Sequence, residues 1–415
     1  MHFILKYYIV SISHAFLKVK ASKGVILKIC SIIAEYNPFH NGHLRQIKYA
    51  REVIKPDYIV VIMSGNFTQR GETACMDKFT RARHAVLAGA DAVIELPTVF
   101  ATASAEFFAS GAVKLINSLP GEKVICFGAE NGNKEELFKV ASSMLEESPE
   151  FKALLKEELK KGVSLLKARE LALLKTSDIN EKILEKPNNV LGVEYLKAIL
   201  KNGYDIGVEV LERKGSEYND KTIHSETPSA LAIRQAVISD NLLPLNGVAP
   251  SFVIESLPKN LPSLDREILY SVLSSKKSEL KEILDCNEGL ENRISALARE
   301  SVCVEELIEK VKTKRYTTAR IRRILLSSLL KIDKTLIRSA LKSKLYLKVL
   351  AINGKDNELL SMLSKSAFPT LTRKSDLAKL GKTAYSVFEK DVFACDVYSL
   401  ASGIKQNEHN MIIVK

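Results

Sequence analysis

The sequence has few cysteines, no paired cysteine motif and no long hydrophobic run. Its six cysteines are scattered and no Cys-x-x-Cys pair occurs, so the usual spacing of a zinc site is absent. No apolar stretch has the length that a membrane-spanning helix needs. Internal repeats and low-complexity tracts are also absent. These absences predict a reduced, metal-free protein in the cytoplasm.

Basic residues exceed acidic ones, and the excess is concentrated in one part of the chain. The 415 residues include 61 Lys and Arg against 49 Asp and Glu, a net charge of +12, and 46% are hydrophobic. Residues 311–350 contain seven Lys and five Arg but only one acid, Asp333. This length suits two or three domains, and the local excess favours a polyanionic partner.

The first 25 residues precede the first predicted core strand. Their apolar runs are short and interrupted by Lys6, His14 and Lys18, so they do not suit a membrane span. A signal peptide is possible, but no small-residue cleavage site follows cleanly. Two explanations remain open: a short amphipathic extension, or a start codon assigned upstream of the true one.

Strand and helix patterns alternate from residue 26 to about residue 130. Apolar strands separated by helices of this length predict a doubly wound, parallel α/β sheet. A charged helical insertion follows at about 150–187, and the chain after residue 244 reads as helical to about residue 348. Strands are predicted at 27–34, 58–63, 92–96, 124–127 and 205–211, and helices at 42–54, 77–88, 101–117 and 229–238.

The most informative stretch, residues 30–44, reads as a buried strand, a polar turn and the start of a helix. His40 and His43 are three residues apart, so both rings can project from one face of the first helical turn. Free backbone N–H groups and the helix dipole attract phosphate there. Gly42 removes a side chain where a nucleotide has to come close. A loop with solvated histidines is the alternative.

Other residues form weaker candidates for a nucleotide site. Ser229 can cap a helix that carries Arg234, although an ordinary capped helix has the same pattern. Gly128 ends a strand and would let a nucleotide approach, or it is a plain turn glycine. Asn188 or Asn189 can read an adenine edge or cap a helix, and Arg213 with Lys214 can neutralise a triphosphate or remain solvated.

Two further segments carry polar or basic groups. Ser64–Gly71 follows the second strand. It either shapes a pocket for a small carboxylate or forms a flexible turn, and its residue types fit both interpretations. In the segment 312–325, Arg315 and Arg322 are seven apart and would share a helix face, while Tyr316 could stack on a base. The concentrated charge favours RNA binding over a solvated basic helix.

These motifs resemble those of a known family. His40-Asn41-Gly42-His43 resembles the His-x-Gly-His signature of nucleotidyltransferases and class I aminoacyl-tRNA synthetases, and Ser229–Arg234 resembles their Ser-x-x-x-Ile-Arg signature. The wider stretch from Glu35 to His43 is similar to the bacterial tRNA(Met) cytidine acetate ligase family. The resemblance implies a nucleotidyltransferase-like domain at 26–240, after an extension at 1–25, and a mainly helical tRNA-binding region at 241–415.

The resemblance also implies a reaction and its site residues. Acetate would attack the α-phosphate of ATP, and the acetyl-adenylate would acetylate N4 of cytidine 34 in elongator tRNA(Met). His40 and His43 would be catalytic, and no membrane or protein partner is implied. Mg²⁺ is a possible cofactor, but the sequence does not show a requirement for it. The implied ATP-binding residues are Ile33, Ala34, Glu35, Tyr36, Asn37, Pro38, Phe39, His40, Asn41, Gly42, His43, Leu44, Arg45, Gln46, Gly128, Asn188, Arg213, Lys214, Ser229 and Arg234; the implied tRNA-binding residues are Arg315, Tyr316, Arg320, Arg322 and Arg323.

Two other functions are weighed against this interpretation. An adenylyltransferase that acts on a small cofactor phosphate would share the histidine motif, but the chain length and the basic helical region argue against it. A non-catalytic RNA-binding protein with a vestigial nucleotide fold is disfavoured by intact His40, Gly42 and His43. No Lys-Met-Ser-Lys-Ser loop is present, which argues against an aminoacyl-tRNA synthetase.

Overall fold

The structure is a computed structural model that describes residues 27–130, 133–146, 148–163, 165–176, 183–213, 229–241, 245, 247–356 and 358–415. The predicted extension at 1–25 and Lys214 lie outside these ranges. Within the ranges, no helix has both the length and the apolar character that crossing a membrane requires.

One mixed sheet organises the described residues. Its strand order is β5–β4–β1–β2–β3–β6–β7, with β8 beside β6, and β3 and β6 are the one antiparallel pair among the strands described. The strands are β1 (Lys28–Ala34), β2 (Tyr58–Ser64), β3 (Ala92–Leu96), β4 (Glu122–Ala129), β5 (Gly207–Glu212), β6 (Leu347–Asn353), β7 (Thr370–Leu371) and β8 (Ile412–Val414). The predicted mostly parallel α/β sheet is confirmed.

Helices cover both faces of this sheet. Because the central strands are buried on both sides, they consist almost wholly of apolar residues. On β2, Val60 and Ile62 pack into the core on one side, and Ile59, Val61 and Met63 pack into the core on the other. The first nine helices are α1 (Asn41–Tyr49), α2 (Lys78–Leu87), α3 (Thr98–Ala101), α4 (Ala105–Ser118), α5 (Lys134–Glu146), α6 (Pro149–Lys160), α7 (Leu165–Thr176), α8 (Pro187–Asn202) and α9 (Ala230–Ile238).

The predicted helix at 101–117 is wrong at its start, because the structure divides this segment between α3 and α4. Ser104 precedes α4 in extended conformation, so the chain turns between the two helices. The turn places the Phe100 ring against Gly111, where an added Cβ would lie 2.4 Å from Phe100 Cγ. The predicted helix at 42–54 also changes geometry, since its last five residues form a π-helical turn, Ala50–Ile54.

The C-terminal part contains a helical region and then returns to the sheet. Its helices are α10 (Ser251–Ile254), α11 (Asp265–Ser274), α12 (Lys277–Lys281), α13 (Leu290–Ala298), α14 (Val304–Val311), α15 (Thr318–Leu330), α16 (Lys334–Lys342), α17 (Leu359–Ser364) and α18 (Lys382–Ser402). The predicted helical pattern to about residue 348 is wrong at its end, because β6 begins at Leu347. A short apolar run has no periodicity that separates a buried strand from a buried helix. The predicted region 241–415 therefore contributes three strands to the sheet.

A buried ionic cluster connects this returning segment to β3 and α2. Lys78 is 1% exposed, and its Nζ lies 2.7 Å from Glu95 Oε1 and 2.5 Å from Glu408 Oε2. Neighbouring carboxylates raise the pKa of Lys78 despite its burial. Burial is the main cause that raises the pKa of Glu95 to about 8. The buried ammonium group of Lys78 thus links the C-terminal segment, through Glu408, to β3, through Glu95.

We expect the substitution Lys78→Met to destabilise the protein strongly. Removing one partner of a buried ion pair leaves an uncompensated charge, which typically costs about 3–5 kcal/mol. Urea unfolding measures the loss. Lys161→Met is the matched control, because Lys161 also pairs with two glutamates but is 51% exposed; we expect a much smaller change. Equal losses in the two variants would show that the cluster has no special structural role.

Candidate active site

Two histidines cap the helix that follows β1. His40 is the N-cap residue of α1, and its Nδ1 accepts a hydrogen bond from the Gly42 N–H at 3.0 Å. His43 Nδ1 in turn accepts from the His40 N–H at 3.2 Å. The two imidazole rings stack with centroids 3.8 Å apart. The histidines therefore share one face, as their spacing predicts.

This hydrogen bonding determines where each ring carries its proton. Burial is the main cause that lowers the pKa of His40 to about 3, and nearby Arg213 lowers it further. Burial, His40 and Arg213 also lower the pKa of His43 well below its ordinary value. A neutral ring whose Nδ1 accepts a hydrogen bond carries its proton on Nε2. Both rings thus offer a neutral Nε2–H donor.

Gly42 and Tyr36 shape the loop around these rings. A Cβ on Gly42 would lie 2.8 Å from His40 Cε1, so a side chain there would displace the capping ring. The predicted reason for this glycine was the approach of a nucleotide, but His40 itself is sufficient reason. Tyr36 has a φ of 47°, an unusual conformation for a residue with a side chain, and its ring lies 4.8 Å from those of Phe39 and His43.

A cavity lies beyond the carboxyl ends of β1 and β4, where sheets of this kind bind ligands. It brings together residues that the sequence predicted separately: the two histidines, the end of β4, the start of α8 and the start of α9. The lining residues are Ile33, Ala34, Glu35, Tyr36, Asn37, His40, His43, Gln46, Thr68, Gln69, Arg70, Glu72, Phe108, Phe127, Gly128, Asn188, Leu191, Tyr195, Arg213, Ser229, Ala230, Leu231 and Arg234.

Some predicted ATP-binding residues do not line this cavity. Pro38, Phe39 and Gly42 support the loop from behind, since Pro38 and Phe39 are buried. The other three lie on the outer side of α1. Asn41, Leu44 and Arg45 border a separate open groove that also contacts Lys48, Tyr49, Glu52, Val53 and Leu211. Their predicted role in ATP binding stays a prediction.

Glu130 fixes the position of one wall of the cavity, and no role was predicted for this residue from the sequence. Its Oε1 accepts from Asn188 Nδ2 at 2.6 Å, and its Oε2 accepts from the Asn189 N–H at 3.0 Å. Asn189 is 1% exposed, and its Oδ1 accepts from the Glu130 N–H. Asn188 also lines the cavity, whereas Asn189 does not, so Asn188 is the asparagine that a ligand can reach. The two segments are 58 residues apart, so only the fold relates them.

A second wall carries positive charge. Ser229 Oγ accepts from the Ala232 N–H at 3.0 Å and caps α9. Arg234, on the second turn of this helix, donates to the Asn37 carbonyl at 2.6 Å and lies 3.9 Å from Glu72. Arg213 follows β5, and its side chain lies against Gly128, where a Cβ would be 3.0 Å from Arg213 Cγ. These side chains suit the phosphates of a nucleotide.

The loop after β2 forms a third wall. Glu35 Oε1 accepts from the Gln69 N–H at 2.7 Å, which ties this loop to the end of β1. Buried Arg81 donates to the carbonyls of Met76, Glu35, Ser64 and Gly65. The sequence left a ligand pocket and a flexible turn as alternatives for Ser64–Gly71; the structure builds the loop into the cavity wall.

The predicted basic face is arranged differently from the expectation. Arg315 precedes α15, which begins at Thr318, so Arg315 and Arg322 do not share a helix face and that expectation is wrong. Thr317 caps the helix through the Arg320 N–H, and this cap sets its start. On α15, Ile321, Ile324, Leu325 and Ser328 are buried and form the stripe that faces the core.

Most guanidinium groups of this segment have partners within the chain. Arg315 pairs with Glu288 at 2.7 Å, and Arg320 donates to the Asp285 carbonyl. Arg322 contacts both Glu305 and the cavity residue Glu72. Arg323 lies 4.0 Å from Asp285, and Tyr316 stacks under the Arg320 guanidinium at 5.1 Å. The assignment of these five side chains to RNA binding stays a prediction.

Comparison with known proteins gives consistent similarities. The family model described as HIGH Nucleotidyl Transferase matches residues 27–411. A protein from Thermoanaerobacter sp. named tRNA(Met) cytidine acetate ligase is 44% identical over 386 residues, which cover 90% of this chain and 95% of the relative. A Caldanaerobacter subterraneus protein of the same name is 41% identical, with coverage of 90% and 96%.

Two crystal structures of a Thermotoga maritima protein named TmcAL are also similar. The apo form superposes with a TM-score of 0.87 at 33% identity, and the form bound with alpha-thio ATP gives 0.85 at the same identity. Each comparison covers 93% of this chain and all of the Thermotoga chain. The similarity therefore extends over the whole described fold.

The low pKa of His40 predicts a specific dependence of stability on pH. Between its folded pKa of about 3 and its ordinary value of 6.5, the unfolded chain binds the proton and the folded chain does not. Stability is therefore lost as the pH falls through this interval. Asn retains a cap acceptor, so His40→Asn should fold and should reduce this slope by about 1 kcal/mol per pH unit. Unfolding measured between about pH 4 and pH 6, inside this interval, tests the expectation; equal slopes would mean that His40 is not held neutral.

Proposed function

The chain belongs to the HIGH nucleotidyl transferase family and, within it, to the tRNA(Met) cytidine acetate ligases, and we propose that it is an ATP-dependent ligase that acetylates a tRNA cytidine. The observation that carries the proposal is the cavity, in which His40 and His43, Asn188 and Arg234 face one space. The proposed substrates are ATP, acetate and elongator tRNA(Met), and the products are AMP, pyrophosphate and N4-acetylcytidine at position 34.

The first half-reaction follows from the donors in the cavity. Acetate is ionised at neutral pH and attacks the α-phosphorus of ATP without a general base. Negative charge then develops on the α-phosphate oxygens, where preorganised donors stabilise a transition state most strongly. The Nε2–H groups of His40 and His43 are such donors, because their Nδ1 atoms are already held by backbone N–H groups. Acetyl-adenylate and pyrophosphate result.

The remaining walls suit the other parts of ATP. We propose that Asn188 and Gly128 contact the adenine and ribose and that Arg213, Ser229 and Arg234 contact the outer phosphates, since all five residues line the cavity. Lys214, outside the described residues, is proposed for the same role. No group of three or more His, Cys, Asp or Glu side chains is arranged for a metal ion in the part of the chain that the structure describes.

Acetate-dependent exchange of labelled pyrophosphate into ATP tests this function. We expect exchange in the wild-type protein and a loss of about 10²–10³-fold in His40→Asn and in His43→Asn, since each variant lacks one preorganised donor. Lys48→Ala is the control, because Lys48 lies on the same helix but outside the cavity. Exchange that does not require acetate, or histidine variants as active as the control, would contradict the proposal.

The pairing of the basic residues gives separate expectations for Arg315 and Arg322. Arg315 pairs with Glu288, and neither residue lines the cavity, so Arg315→Ala should weaken tRNA binding, lower its salt slope by about one unit and leave adenylate formation unchanged. Arg322→Ala should also alter adenylate formation, because Arg322 contacts Glu72 in the cavity wall. Binding titrations at several salt concentrations and pyrophosphate exchange give both readouts. Unchanged tRNA binding in Arg315→Ala would remove Arg315 from the RNA surface.

A further inference from the structure

The second half-reaction needs a group that accepts a proton, and this inference rests on the proposed function. The exocyclic amine of cytosine attacks the acetyl carbon of acetyl-adenylate and must lose a proton as the amide forms. Its lone pair is delocalised into the pyrimidine ring, so the amine is a weak nucleophile. A positioned base typically accelerates such a step by about 10²–10⁴-fold. Imidazoles and carboxylates are the side chains that accept protons at neutral pH.

The two histidines of the cavity do not suit this role. In each ring Nδ1 already accepts a backbone N–H, and Nε2 carries the ring proton. Accepting a second proton would create a buried cation, which the low pKa of both rings opposes. Their place in the first half-reaction, as donors to the α-phosphate, depends on that same proton. His40 and His43 are therefore donors in this cavity.

Among the residues that the structure describes, two carboxylates line the cavity, and their surroundings differ. Glu72 is held by the Arg322 guanidinium and lies 3.9 Å from Arg234. Each oxygen of Glu72 therefore has a guanidinium group beside it, Arg322 at Oε1 and Arg234 at Oε2, so neither oxygen is open to the cytidine amine. Glu72 instead orients Arg234 and joins the cavity wall to α15. Glu35 is the other carboxylate among the described lining residues.

Glu35 has one oriented oxygen and one open oxygen. Oε1 accepts from the Gln69 N–H at 2.7 Å and lies 3.5 Å from Ser64 Oγ. No hydrogen bond to Oε2 occurs among the described residues, and Oε2 is not one of the partnerless atoms sealed from solvent. Since Glu35 lines the cavity, this oxygen is open to a ligand.

The charges around Glu35 act in opposite directions. Burial raises the pKa of Glu35, and this is the largest effect. The Gln69 N–H and the guanidinium groups of Arg81, Arg234 and Arg70 lower the pKa and offset part of that effect. The result is a carboxylate that is more basic than usual and lies one residue beyond β1. A general base is most effective when its pKa approaches the working pH.

We propose that Glu35 is the general base of the acetyl-transfer step. As the cytidine N4 forms a bond to the acetyl carbon, its proton moves to Glu35 Oε2. The bond between the acetyl carbon and the phosphate oxygen breaks, and AMP leaves with that electron pair. Glu35 returns its proton to solvent when the products depart. No oxidant, reductant or further reactant is required.

The test compares the two half-reactions in Glu35→Gln, whose amide oxygen can still accept from the Gln69 N–H. Enzyme preloaded with labelled acetate and ATP is mixed with tRNA, and single-turnover transfer is followed beside pyrophosphate exchange. We expect transfer to fall about 10²–10⁴-fold more than exchange. Wild-type transfer should rise with pH as Glu35 ionises, and the residual transfer of Glu35→Gln should lack that rise.

Glu72→Gln is the charge-matched control, because it removes the same charge from the same cavity; its two half-reactions should change by a similar factor. Equal losses of exchange and transfer in Glu35→Gln would overturn the inference and assign Glu35 to loop positioning, and so would an unchanged pH profile. If the wild-type protein shows no acetate-dependent exchange, the proposed function falls and the inference falls with it.

Discussion

The active site depends on one buried guanidinium group. Arg81 is 0% exposed, and it donates hydrogen bonds to four backbone carbonyls at the ends of β1 and β2 and before α2. Carbonyls at strand ends have no partners in the sheet, and a buried unpaired carbonyl is costly. Arg81 satisfies them together, so the loops that carry Glu35 and Gln69 have one arrangement. Burial lowers the pKa of Arg81, but arginine remains protonated in proteins.

The cavity has neutral hydrogen-bond donors on one wall and cationic donors on another. His40 is buried, His43 is half-buried, and their low pKa keeps both rings neutral; in the proposed reaction they can therefore stabilise a developing charge without binding the ground-state phosphate too tightly. Full positive charge comes from Arg213 and Arg234 on another wall. Glu72 contacts both Arg234 and Arg322, and it thereby connects the nucleotide site to the helix that begins at Thr318. The side chain of Glu72 thus lies between the proposed ATP site and the proposed RNA surface.

The sequence allowed the strand–loop–helix unit and its histidine pair to be predicted, because strand length, the polar turn and the three-residue spacing are local properties. The start of α15 was missed because the capping role of Thr317 gives the same local pattern as an interior helical threonine. β6 was missed because a short apolar run suits a buried strand as well as a buried helix. Glu130 and Glu72 contact partners that are 58 and 250 residues away along the chain. Their structural roles depend on these contacts, which no local sequence pattern reveals.

The central claim is that this protein converts acetate and cytidine into N4-acetylcytidine in tRNA. The most direct measurement incubates the purified protein with ATP, isotopically labelled acetate and unmodified elongator tRNA(Met), and analyses the nucleosides by mass spectrometry. The account predicts labelled N4-acetylcytidine at position 34 that requires ATP and is lost in His43→Asn. Labelled adenylate without labelled nucleoside, or acetylation that does not require ATP, would contradict it.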